Sequence, residues 1–409
     1  MITAWMEKMR SQVTLLDGFA FCYAFFFFYP PYFKNLAFDL INQALFLVAA
    51  VVLFSGRYRC SRTALWVTGY VVLGAAISFY HQIPDANLRF LVRCCRQLTF
   101  VLYMDYLLQI SRPTVLRYVF GALAFWVGLD LLSVFAFPSG LHRRYESNGW
   151  ATWLASVSWL YGHKNIHAMY FLLTQLLLWM NYEAKSISLT KKQCLYLSCL
   201  PLLASCIMRS TTTILALLLA IIGLGMSYKV WERPWPRLKL EYVVSGYLGL
   251  VACYILLSLE QVRTLIGFDY SKLLSFTGRS TIWAKALSFV PDHFFLGLGL
   301  VDLDTAAALL ENTFFCNAHN MFLDVLWKGG IVYFAFFLAL LFAFCRSLKK
   351  AAEPAKANML VCFFLALLAQ MTMESFILDS KFFLVLLLLV YIAETPGGSK
   401  GEEEAENAA

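Results

Sequence analysis

The chain is a series of long apolar stretches separated by short polar loops, running from Leu15 to Ile392. Many of the stretches approach the ~20 residues that a helix needs to cross a bilayer. They fall near 14–31, 36–55, 63–80, 90–110, 115–137, 166–182, 193–208, 211–228, 241–259, 319–345, 357–373 and 379–393, which predicts about twelve transmembrane helices. Only Arg209 and Ser210 separate 193–208 from 211–228, and the last two stretches, parted by Glu374 and Asp379, are short for full crossings. The expected fold is all-α: a polytopic membrane helix bundle over residues 1–394, with a disordered acidic cytoplasmic tail over 395–409 that carries Gly397-Gly398 and Glu402-Glu403-Glu404.

Two polar segments are too long to be simple turns. One runs from Pro138 to Asn165 and carries Arg143, Arg144, Trp150, Trp153, Trp159 and Lys164; the other is a large external loop, 260–318. A structureless loop of that length is uncommon in a compact fold and is more often functional. It also carries helix signals. Thr277 or Ser280 can cap a helix through Ile282-Trp283-Ala284-Lys285-Ala286-Leu287, Pro291 stops it, Gly297 and Gly299 turn the chain, and a second short helix fits Asp304–Glu311. Short helices on the outer face of an apolar bundle suggest a lid over a site.

Composition agrees with this pattern. Hydrophobic residues make up 60% and charged residues 14%, with a mean hydropathy of +0.66, against ~45–50% and ~25% in soluble domains. A soluble enzyme, a disordered protein and a secreted disulfide scaffold are excluded. The net charge of +8 does not indicate nucleic acid, because the basic residues sit in short loops and form no dense block with interleaved aromatics. Their distribution orients the bundle. Arg57, Arg59 and Arg62, Arg112 and Arg117, Lys185, Lys191 and Lys192, then Lys229 to Lys239 and Arg346 to Lys356 mark cytoplasmic loops, with both termini cytoplasmic. Lys8 and Arg10 precede a first helix with no cleavage site after it, so that helix is expected to be retained. The 11 cysteines lie almost wholly in apolar runs and form no paired CxxC, which supports neither a disulfide framework nor a zinc site. No matched pair of broken spans of transporter type is evident.

Charge within the membrane costs roughly 2.5–3.5 kcal/mol or more per residue, so it marks candidate chemistry. Arg93 and Arg96 are one turn apart near the outer end of the fourth span. They either snorkel, pair with Asp130, or form a basic wall suited to an anionic lipid head group. Asp105, nearer the inner end, has a structural role. Arg209 at an outer boundary is either an interfacial anchor or, with Ser210, Thr211, Thr212 and Thr213, a phosphate-binding combination. Of the six histidines, His81, His142 and His293 are read as structural. His319 lies in Asn317-Ala318-His319-Asn320 at the outer mouth of the tenth span, where an imidazole can accept a hydroxyl proton at neutral pH. No His, Cys or carboxylate cluster has metal spacing, so a mechanism without metal or cofactor is expected.

Thr277-Gly278-Arg279, Trp283, Pro291, Gly297 and Gly299 lead into Asn317-Ala318-His319-Asn320; after a gap of nine residues come Gly330 and then Tyr333. This order resembles the O-antigen ligase and polymerase superfamily, in which His-Asn, a nine-residue gap, Gly and then Gly, Thr or Tyr after two residues is a ligase signature. Gly162-His163-Lys164-Asn165 is similar to the family's Asn-containing segment, and Arg209 sits where the family carries an Arg. Thr213 replaces the family's frequent Leu, and Asn317 stands at the first position of its His-x-His-Asn form.

The resemblance implies a membrane glycosyltransferase at the outer face of the cytoplasmic membrane. It would move a glycan from undecaprenyl diphosphate to an acceptor sugar hydroxyl, without metal or nucleotide. Arg209 and Arg279 would stabilise the departing diphosphate, and His319 would orient or deprotonate the acceptor. Arg93, Arg96, Lys164, Asn165, Asn317 and Asn320 would bind substrate, with Asn317 and Asn320 holding the His319 ring. Trp150, Trp153 and Trp159 could stack on sugars. The favoured activity is polymerisation of capsule, exopolysaccharide or O-antigen repeat units, with a flippase and a chain-length regulator as candidate partners. The alternatives are an O-antigen ligase, ligation to another cell-envelope acceptor, or a lipid-linked oligosaccharide flippase or transporter.

Overall fold

A computed structural model of the chain describes residues 15–55, 58–81, 88–110, 113–144, 156–229, 236–258, 279–301, 303–310, 317–351 and 353–395. These residues are mostly helical. In chain order the helices are α1 (Leu15–Phe27), α2 (Leu36–Ser55), α3 (Arg62–Tyr80), α4 (Leu88–Gln109), α5 (Pro113–Ala136), α6 (His167–Glu183), α7 (Lys191–Ile207), α8 (Thr211–Ser227), α9 (Leu240–Ser258), α10 (Arg279–Ser288), α11 (Leu303–Leu309), α12 (Met321–Leu348), α13 (Pro354–Met373) and α14 (Ser380–Glu394). Between α5 and α6 lie three short strands, β1 (His142–Arg144), β2 (Ser156–Trp159) and β3 (Gly162–His163).

Each predicted apolar stretch contains a helix, but among the described residues length and composition suffice for a crossing in five of them: α2, α3, α5, α12 and α13. The expectation of about twelve crossings is not established, because α1, α6, α7, α8 and α14 run only 13 to 17 residues. The two short helices expected in the external loop are present as α10 and α11. Trp150, Trp153, Thr277 and the acidic tail beyond Thr395 lie outside the described residues.

The chain divides into two compact units. The first comprises residues 1–61, 99–224 and 383–388. Here α1 packs along α5, and α6 packs against α5 and α7. Most of α6 from His167 to Asn181 is buried, as suits a helix that is apolar around its circumference. Aromatic rings fill the α1 side: Phe27 stacks on Phe100 at 3.6 Å, and Trp126 donates its indole N–H to the Phe25 carbonyl at 2.8 Å.

The strands form an antiparallel sheet of order β1-β2-β3, the one departure from an all-α fold among the described residues. In β2, Ser156 and Ser158 alternate with Val157 and Trp159, a two-sided pattern. Trp159 takes the inner side, buried, with its indole N–H on the Phe137 carbonyl at 2.9 Å. A buried pair ties the sheet to the helices. Asp130 of α5 lies 3.1 Å from His167 Nε2 of α6, and it accepts the Tyr161 backbone N–H at 3.2 Å from the β2–β3 turn. Asp130 is thus engaged by His167 and Tyr161. Burial pushes the Tyr161 hydroxyl well above the ordinary tyrosine range, with Tyr170 and Asp130 adding to the effect. At the other end of α4, Asp105 accepts from Tyr58 (2.8 Å), the Ser61 backbone (2.9 Å) and Gln109 (2.9 Å), a structural role.

The second unit comprises residues 62–98, 225–382 and 389–409. Its most buried long helix is α13, whose residues Lys356–Thr372 are almost all enclosed. α3 packs on α12, with Tyr70 stacked on Tyr333 at 4.4 Å. α12 is broken at Gly330, which adopts φ +67° and ψ −172°. The turn 294–299 fills the break. Ile331 and Val332 donate to Phe294 O (2.7 Å) and Phe295 O (3.2 Å), while Leu298 and Gly299 donate to Trp327 O (3.2 Å) and Lys328 O (2.7 Å). Backbone groups freed by the break are therefore satisfied within the protein. Glycine is required at the contact, since a Cβ on Gly330 would lie 2.4 Å from Phe295 C and O, and one on Gly297 would lie 2.4 Å from Lys328 C and O.

Candidate functional site

In the second unit the Asn317–Asn320 segment is held from three sides before α12 begins. The Trp283 indole of α10 donates to Ala318 O at 2.7 Å, and the buried Asp324 carboxylate accepts the Ala318 N–H at 2.9 Å. Asp324 also accepts from Trp327 Nε1 at 2.6 Å and lies 3.7 Å from Lys328 Nζ. Asn320 caps α12 by accepting the Leu323 N–H at 3.1 Å. Beneath the segment, Ile282, Trp283 and Ala286 pack with Leu323 and Trp327 in an apolar cluster.

This frame fixes the position of His319. Its backbone is left-handed, φ +45°, and its N–H donates to Asn317 Oδ1 at 2.8 Å. Such a φ is uncommon for a residue other than glycine and is retained where the surroundings over-determine it. The ring Nδ1 lies 2.9 Å from Glu374 Oε2, at the C-terminal cap of α13; the two side chains are 19% and 13% exposed. A carboxylate on Nδ1 favours the tautomer with its proton there and places the acceptor lone pair on Nε2. Expected to hold the ring, Asn317 and Asn320 instead shape the backbone, and Glu374 meets the ring. Glu374 lies 55 residues from His319 and carried no motif, so only the packing of α13 against α12 reveals it.

Arg279 is the first residue of α10, one turn before Trp283, so the helix that carries it is the one anchored to Ala318. Arg93 and Arg96 belong to the part of α4 in this unit. Arg93 is exposed, Arg96 half-buried, and neither makes an ion pair among the described residues.

The first unit gathers three other expected residues. Lys164 and Asn165 follow β3 and meet the elbow between α7 and α8. Lys164 Nζ donates to Arg209 O at 3.2 Å, Ser210 Oγ donates to Asn165 Oδ1 at 3.0 Å, and Ser210 shares a 2.7 Å hydroxyl contact with Thr213. Arg209 has φ +54° because it closes α7: its N–H bonds Cys206 O and the Ser210 N–H bonds Ser205 O. Lys185 shows the same cap geometry, so the φ alone does not mark a site. Charge does. Arg209 is exposed, and neither it nor Lys164 makes an ion pair among the described residues, which leaves two adjacent cations open to an anion. Trp159, by contrast, is mostly enclosed by the fold.

Among the described residues no group of three or more His, Cys, Asp and Glu gathers as metal ligands. Residues 196–338 match the family model described as O-antigen ligase. This segment contains Arg209, Arg279, His319, Gly330 and Tyr333, whereas Arg93, Arg96, Lys164, Asn165 and Glu374 lie outside it. No curated protein matches the chain.

Proposed function

We propose, from the O-antigen ligase domain at residues 196–338 and the O-antigen ligase and polymerase superfamily it supports, that the chain transfers a lipid-linked glycan to a sugar hydroxyl at the outer face of the cytoplasmic membrane. The His319–Glu374 pair carries the reading. In the proposed reaction the acceptor oxygen attacks the anomeric carbon, the bond from that carbon to the diphosphate oxygen breaks, and undecaprenyl diphosphate leaves. His319 Nε2 takes the hydroxyl proton while Glu374 stabilises the imidazolium that forms. Arg279, in the unit of His319, balances the charge on the leaving diphosphate, a role in which preorganised cations are worth most; in the other unit, Arg209 and Lys164 are cations suited to a donor's diphosphate. Arg93 and Arg96 attract the anionic donor, and Asn165 holds the elbow through Ser210.

Two products fit this chemistry. Polymerisation of capsule, exopolysaccharide or O-antigen repeat units, with a flippase and a chain-length regulator as partners, is the first. Ligation to an envelope acceptor is the second, favoured by the His319-Asn320, nine-residue gap, Gly330 spacing. Glycan length resolved by gel separates them. Loss of the chain collapses the ladder to single repeats for a polymerase and leaves a full ladder on the lipid carrier for a ligase. Lipid-linked repeats trapped on the cytoplasmic side would indicate a flippase instead.

A further inference from the structure

The first unit contains a cleft that the proposed chemistry does not use. It has a volume of about 530 Å³ and lies between the 3-10 turn Pro31–Phe33 and the small sheet. Pro31 and Tyr32 form one wall, and His142, Ser158, Trp159, Leu160 and Gly162 line the other. This volume is in the range of small-molecule sites, roughly 300–1,000 Å³. The turn is fixed to the sheet by the Tyr32 N–H on Leu160 O at 3.4 Å.

The chemistry of the walls is specific. Tyr32 lies against His142 with ring centroids 5.0 Å apart, yet it keeps 47% of its surface exposed. In the sheet register Ser158 faces His142 on one side and His163 on the other, so three polar residues make a row across one face. Trp159, the next residue, also borders the cleft, although most of its surface is buried. Aromatic ring, hydroxyl and imidazole suit a sugar, whose C–H face packs on an aromatic while its hydroxyls both donate and accept. Among the residues whose side chains are described, no Lys, Arg, Asp or Glu lines the cleft. Lys164, whose ammonium reaches Arg209 O, lies only two residues beyond Gly162. Two residues of extended chain span about 7 Å, short enough for one donor to place its diphosphate by Lys164 and its sugars in the cleft.

We propose that this cleft is the saccharide subsite for the donor glycan; the assignment rests on the glycosyl-transfer reading above. Tyr32 stacks on a sugar ring, and His142 and Ser158 bond its hydroxyls.

The test uses the full chain in lipid nanodiscs and the oligosaccharide released by mild acid from the host's lipid-linked repeats. Saturation-transfer NMR should show binding to the wild type, retention in Tyr32→Phe, and binding about five- to tenfold weaker in Tyr32→Ala and His142→Ala. In a transfer assay the same two alanine variants should raise the KM for lipid-linked donor by a similar factor, with the KM for acceptor unchanged. Unchanged oligosaccharide binding in both alanine variants overturns the proposal, and so does a rise confined to the acceptor KM. Full transfer by His319→Ala would instead overturn the catalytic reading, and the binding result would still decide the cleft.

Discussion

Replacing Glu374 by Gln tests whether the His319 ring is held for catalysis. The Nδ1···Oε2 distance of 2.9 Å is in the range of charge-assisted hydrogen bonds. At 19% and 13% exposure the two side chains are shielded enough for that bond to count. A hydrogen bond to a charged group contributes about 1.5–3 kcal/mol. Glutamine can turn its amide oxygen toward Nδ1–H, so the tautomer survives and the charge is lost. If most of that contribution appears as the imidazolium forms, kcat should fall about 10- to 150-fold at 1.36 kcal/mol per decade. Glu374→Ala, which also loses the orienting acceptor, should fall further. The KM for donor should stay near wild type, because Glu374 acts through the ring. The assay is glycan transfer from lipid-linked donor by purified variants in nanodiscs, with expression matched. Wild-type kcat in both variants would refute the assignment.

Other consequences follow from particular contacts. Gly330→Ala forces φ +67° on a residue with a Cβ and sets that atom 2.4 Å from Phe295 C and O, so it should lower stability by about 2 kcal/mol or more, read as a fall in thermal midpoint of the purified protein. Trp283→Phe leaves Ala318 O without its donor and should cost about 1–3 kcal/mol, together with a loss of transfer activity. Asp130→Ala leaves His167 buried without its carboxylate and should destabilise the first unit by about 3–5 kcal/mol, seen as poor yield and early unfolding. Arg209→Ala should reduce transfer about 10²- to 10³-fold, and Arg209→Lys should restore only part of it, since lysine keeps the charge and loses the planar fork.

Much of the helical organisation was legible in the sequence because hydropathy and caps are local signals. The pause at Arg209-Ser210 does separate α7 from α8, and α10 does end at Ser288, three residues before Pro291, although Ser280 lies inside the helix instead of capping it. What stayed hidden depends on distant contacts. Strands of two to four residues such as Gly162–His163 carry too little periodicity to read, and their pairing is set by Asp130 and His167 on two helices. Gly330 was visible as a motif position, but its purpose is the close approach of Phe295, 35 residues earlier. Asn317 and Asn320 sit beside His319 in sequence and suggested ring contacts. The chain turns so sharply there that their amides are used by the backbone, and Glu374 arrives from another helix.

The most direct test of the central claim is glycan length in cells that express the wild type or His319→Ala at equal levels, resolved by gel together with the lipid-linked fraction. His319→Ala should remove the product, leaving a ladder reduced to single repeats or a ladder retained on the carrier lipid. A wild-type pattern on its normal acceptor in the His319→Ala strain would contradict that claim.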